Sequence, residues 1–147
     1  MKLTLKFIFI SAAVLVTGFN VHEAKAQLVK CFDVSSRTGW QYFDLGSPYT
    51  RIASVSGGWS VDARSYAPVG FQGHNEPGLE PYNQYKYDGG YPFGALFVDI
   101  PIDGYGYVWV RGVQQLPKPI TRTAIRINDA DNALGDNSGV LRVCFNR

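Results

Sequence analysis

The sequence predicts an all-β domain, a β-sandwich of about eight short strands with one long middle loop. Sixteen glycines and eight prolines punctuate the chain too often for long helices. Between them recur segments that alternate apolar and polar residues or are rich in β-branched and aromatic side chains. One stretch, 62–91, breaks that alternation.

At the N-terminus, Lys2 and Lys6 accompany an apolar run, 7–19, too short to span a bilayer. Ala24-Lys-Ala26 then supplies small residues for cleavage. Residues 1–26 read as a secretory signal peptide, and 27–147 as one domain long enough to bury a core. Lys2, Lys6, Lys25 and Glu23 carry the whole formal charge of +2, so the mature domain is neutral. A neutral domain offers no electrostatic case for nucleic acid or an anionic membrane, and no span is expected after cleavage. The expected location is secreted or periplasmic.

Strands are expected at 28–34, 40–45, 49–55, 94–100, 106–111, 121–127 and 140–145. Trp40, Trp59 and Trp109 fall in these strand-like runs and are expected in the core. Cys31 and Cys144 lie near opposite ends of the mature domain. In an exported chain such a pair reads as a disulfide, which would make the first and last strands neighbours.

The stretch 62–91 is rich in Gly, Pro, Tyr and Asn. A loop this long in a compact domain is usually functional or disordered, and its aromatics argue for order. Tyr66, Phe71, His74, Glu76, Glu80, Tyr82, Gln84, Tyr85 and Tyr87 mix ring faces with hydrogen-bonding tips. Sugars dock on such surfaces, C–H faces on rings and hydroxyls on carboxylates and amides. The same tyrosines would equally serve to pack the loop onto the domain with their hydroxyls in water.

Between two apolar alternations, the segment 126–139 gathers Asn128, Asp129, Asp131, Asn132, Asp136 and Asn137. Carboxylate, carboxamide and backbone carbonyl oxygens suit Ca2+, which takes roughly six to eight of them. This is not an EF-hand: counting from Asp129, the sixth position is Leu134 and the twelfth Val140. The alternative is a solvated turn whose Asp and Asn bond their own backbone.

Enzyme chemistry has few residues to draw on. His74 is the mature chain's one histidine, which leaves no His-based metal cluster and little scope for a triad. Glu76 and Glu80 are its only glutamates, useful as a glycosidase pair only at the right separation. No Gly-rich phosphate loop opens a helix. A non-enzymatic protein with no catalytic residues is expected.

Three blocks carry a resemblance: Gly57-Gly-Trp-Ser60, Gly94-Ala-Leu-Phe-Val-Asp-Ile100, and Ile127-Asn-Asp-Ala-Asp-Asn-Ala-Leu-Gly-Asp-Asn-Ser-Gly139. In order and spacing they resemble the bacterial calcium-dependent galactose-binding lectins of the PA-IL (LecA) family, over roughly 39–145. The resemblance implies a galactose-binding-like sandwich of the jelly-roll type with Ca2+ as cofactor. It implies Asp129, Asp136 and Asn137 as side-chain ligands, with Asp62 and Ala133 giving backbone carbonyls. Asp129 and Asn137 would also receive sugar hydrogen bonds. The family fixes the hexose with a His and a Gln from the middle loop. Here Pro77 stands at the His position, the Gln position falls near Glu80, and His74 lies close but out of register. His74, Glu76 and Glu80 are the expected sugar contacts. The expected partner is a carbohydrate, a neutral hexose or glycan, selected differently from simple galactose. A homo-oligomer is left open. The alternative is a non-catalytic structural or protein-interaction module that keeps the fold and has lost sugar binding.

Overall fold

In the computed structural model the described residues are 28–147; the expected signal peptide and its cleavage site lie outside them. Six strands form: β1 (Val29–Ser35), β2 (Gln41–Ser60), β3 (Leu96–Ile100), β4 (Gly106–Trp109), β5 (Gln114–Ile127) and β6 (Ser138–Asn146). They join in one open antiparallel sheet, in the order β1-β6-β2-β5-β3-β4. The protein is mostly β, with one hydrogen-bonded sheet among the described residues and fewer, longer strands than expected.

The strand count falls because β2 bends where the sequence suggests a break. It runs for 20 residues, through both expected segments 40–45 and 49–55 and on to Ser60. Its register against β5 shifts between Asp44 and Tyr49, around Gly46 at φ 76°. Pro48 there has no N–H to give the ladder. Before the bend β2 pairs with β5, as in Gln41↔Ile125; beyond it β2 keeps β5 from Tyr49↔Ile120 to Ile52↔Gln114 and also pairs with β6, from Arg51↔Asn146 to Ser60↔Ser138.

Two glycines let β2 and β6 close. A Cβ on Gly139 would stand 2.2 Å from Gly58 O, and one on Gly57 would stand 2.5 Å from Val140 O. Both have positive φ, 94° and 95°. Only glycine tolerates that combination. The close approach sets the end of the 128–137 loop beside the end of β2.

Cys31 and Cys144 are cross-strand partners in β1 and β6 and form a disulfide, with Cα atoms 4.0 Å apart. The terminal strands are neighbours, as the cysteine positions predict.

The core gathers inward residues of several strands, among them Val34, Ile52, Leu96, Val98, Ile125, Leu141 and Phe145. Trp59 is fully buried, and its Nε1 donates to Gly94 O at 2.7 Å. Trp40 and Trp109, expected in the core, are only half-buried. Trp109 ends β4, an edge strand with no neighbour to cover it. Trp40 precedes β2 and packs on Tyr87 and Tyr107, while Trp109 packs on Tyr91. Among the described residues, no helix is long and apolar enough to cross a membrane.

The long middle stretch holds a 3-10 helix, Pro77–Tyr85. Asn128, fully buried, organises its far end. Its Nδ2 donates to the carbonyls of Asp88, Tyr91 and Pro92 at 3.0, 3.2 and 2.9 Å, and its Oδ1 accepts from Asp88 N at 2.8 Å. Ala130 N donates to Tyr85 O at 2.7 Å. The middle stretch and the Asp/Asn-rich loop are thereby fastened together.

Candidate calcium and ligand site

The site grows from the end of β5. Asp129, two residues past the strand, is 2 % exposed. Burial pushes its carboxyl up to about 6; the adjacent Asn137 side chain and the Ala130 N–H pull it down, and Asp136 adds to the rise. Oδ1 accepts from Ala130 N at 3.2 Å, while Oδ2 is buried without a partner. Asn137 is fully buried. Its Nδ2 donates to Ser36 O at 2.9 Å and its backbone oxygen accepts from Arg37 Nε at 2.6 Å. Its Oδ1 is left buried and unpartnered. Such oxygens are costly and ask for an explanation. A hard cation bound between two of them would satisfy both.

Asp129 lines a cavity of about 400 Å³. Asp62, Asp129, Ala133 and Asp136 are among its lining residues, so the structure gathers four of the five expected metal residues there; Asn137 neighbours Asp129 but does not line the cavity. Ala133 caps the short 3-10 helix Leu134–Asp136. Ala63 N donates to Asp136 O at 3.0 Å and ties the turn after β2 to this loop. The Asp62 carbonyl is already engaged: it accepts from Tyr66 N at 3.0 Å, Ser65 N at 3.3 Å and Ser60 Oγ at 2.9 Å. Its lone pairs serve that turn. Among the described residues no three His, Cys, Asp or Glu side chains cluster as a metal set. The groups that could hold a cation here are the Asp129 and Asp136 carboxylates, the Asn137 carboxamide and the Ala133 carbonyl. An all-oxygen set of this kind fits Ca2+ rather than a softer metal.

Sequence reasoning missed Arg126. It is fully buried, although its strand run looks like ordinary alternation. Nη2 donates to Asp129 O at 2.6 Å and to Asp131 Oδ1 at 2.9 Å, and Nε donates to Ile127 O at 3.0 Å. The guanidinium lies 3.7 Å from the Tyr87 ring centroid. Arg126 thus pins the backbone that aims Asp129. Asp131 is its counter-ion, and the one sequence signal for this role was that acid five residues on.

The expected sugar contacts lie elsewhere. His74, Glu76 and Glu80 line a separate cleft of about 470 Å³, which shares Leu79 and Phe93 with the Asp129 cavity as a common wall. His74 Nδ1 faces Glu76 Oε2 at 3.2 Å, and Nε2 is buried without a partner. Burial lowers the His74 pKa against the pull of Glu76. For Glu80 the separation follows from helical period; His74 and Glu76 precede the helix. A 3-10 helix repeats every three residues, so Leu79, Tyr82 and Tyr85 share one face and Pro77, Glu80 and Asn83 another. The first face lines the Asp129 cavity, the second the other cleft. Tyr66, Tyr82 and Tyr85, not His74, Glu76 and Glu80, share the cavity with Asp129.

No protein-family model matches the chain, and no curated protein matches its sequence.

Proposed function

We propose that this is an exported, non-enzymatic, calcium-dependent carbohydrate-binding protein similar to the PA-IL lectins. One observation carries the reading. Two buried oxygens on neighbouring side chains, Asp129 Oδ2 and Asn137 Oδ1, lack hydrogen-bond partners, and Asp129 lines a cavity together with Tyr66, Tyr82 and Tyr85. Asp129, Asp136 and Asn137, with the Ala133 carbonyl, would hold Ca2+. The cation would supply positive charge for paired sugar hydroxyls. Asp62 is the weakest of the five assignments because its carbonyl is engaged. No Lys or Arg lines the cavity, which favours a neutral hexose or glycan over an acidic one.

The disulfide supports export to an oxidising compartment. A β-sandwich of the galactose-binding-like type is the finer fold we propose. Its support is that the Phe32 and Phe43 rings lie 4.5 Å apart, although β1 and β2 are not neighbours in the sheet. A contact across the intervening β6 is what a sheet curling on itself at that end would give.

The test is a glycan array run in millimolar Ca2+ and again with a chelator. The expected result is binding of neutral glycans that disappears with the chelator. Calcium binding without any glycan would turn the reading to a protein-interaction module on the same fold. Neither calcium nor glycan binding would end it.

A further inference from the structure

We infer that Tyr82 and Tyr85 form the wall on which the ligand lies, and that the ligand is a neutral hexopyranoside with a C–H face turned to these rings. The inference rests on the carbohydrate-binding reading and names the residues that would set its selectivity.

Three observations carry it. Tyr82 and Tyr85 stand three residues apart on a 3-10 helix, which puts them on one face with Leu79, toward Asp129. They are 52 % and 43 % exposed, while Leu79 and Phe93 beneath them are 8 % and 4 % exposed. The apolar packing is already done by the floor, and the two tyrosines are left on the surface above it. They also lack the partners that neighbouring tyrosines have. Tyr87, Tyr91 and Tyr107 pack ring against ring, and the Tyr107 hydroxyl donates to Asp88 Oδ2 at 2.5 Å. Among the described residues, neither Tyr82 nor Tyr85 makes a ring–ring contact or a hydroxyl hydrogen bond.

A rigid ring with two side-chain torsions orders at low entropic cost. Its face accepts C–H groups, and its hydroxyl remains free to donate or accept. A hexopyranoside is shaped for the gap: hydroxyls on one edge for the oxygen-rich wall, an apolar face for the rings. The Tyr85 backbone is held by Ala130 N, so the wall stands at a fixed place relative to Asp129.

The experiment uses the full mature chain and a panel of methyl hexopyranosides of gluco, galacto and manno configuration. Calorimetry measures Ca2+ alone first, then each glycoside in saturating Ca2+. Four proteins are compared: wild type, Tyr82→Ala/Tyr85→Ala, Tyr82→Phe/Tyr85→Phe and Glu80→Gln. Thermal melts show that each variant is folded. The Ala pair is expected to weaken the best glycoside by about tenfold while changing Ca2+ affinity by less than about twofold. The Phe pair should keep glycoside affinity within about threefold, since the ring faces remain. Glu80→Gln should change neither. An Ala pair that binds glycoside like wild type would overturn the inference, as would a Phe pair that loses as much as the Ala pair. Wild type that binds Ca2+ but no panel glycoside would overturn it too, leaving the metal site standing. Wild type that binds no Ca2+ would remove the functional reading beneath it.

Discussion

Asp129 is held with one oxygen bonded to its neighbour's N–H and the other bare. In the metal-free protein its charge is a liability, because burial favours the neutral form. Asp129→Asn should remove that charge and offer the Asn137 Oδ1 a donor. The metal-free variant is then expected to be more stable than wild type by about 1 kcal/mol at neutral pH, read from urea midpoints. Loss of stability would mean the carboxylate is satisfied by the protein itself. His74 gives the pH dependence. Its folded pKa is lowered by burial, so the unfolded chain takes up a proton first as the pH falls. The His74 contribution should be full above the unfolded value near pH 6.5 and decline below it, down to the folded pKa; it is read in the Asp129→Asn background, because the raised Asp129 carboxyl acts in the opposite sense over the same range. His74→Gln should flatten that decline in melts recorded across the acid range, and an unchanged decline would place its cause elsewhere.

The 3-10 helix Pro77–Tyr85 decides which side chains meet the loop. Its three-residue repeat turns Glu80 away from Asp129, so Glu80→Gln is expected to leave Ca2+ affinity within about twofold of wild type. A larger change would mean that the two clefts communicate. The strands were largely legible, because half-buried strands advertise themselves by alternation at 28–34, 121–127 and 140–145. The length of β2 was not: Gly46 and Pro48 mark turns in a sequence, and here they mark a bulge that the paired strands bridge. The oxygen-rich loop was legible as composition. The ring wall was not, since placing Tyr82 rather than Glu80 beside Asp129 requires knowing that the segment is helical with period three. Arg126 was invisible for another reason. Its partners are backbone carbonyls and a tyrosine ring from the middle stretch, and no local pattern encodes those.

Over the whole molecule, one covalent link and one fastened pair of loops set the geometry. The Cys31–Cys144 bridge spans 113 positions and closes most of the described chain. On the chain-entropy account, reduction should cost about 4–5 kcal/mol of stability, measured as a shift in the urea midpoint with and without reductant. A negligible shift would mean that the denatured chain keeps β1 and β6 together without the bond. Asn128, Arg126 and the Tyr85–Ala130 hydrogen bond join the two loops at the opposite end of β6 from the disulfide. That end carries the account's central claim, that the Asp129 loop is a calcium site. The direct measurement is isothermal titration of the chelator-treated protein with Ca2+, wild type beside Asp129→Asn. The account predicts saturable binding at one site per chain in the wild type and none in the folded variant. No heat from the wild type at millimolar Ca2+, or equal binding by both proteins, would contradict it.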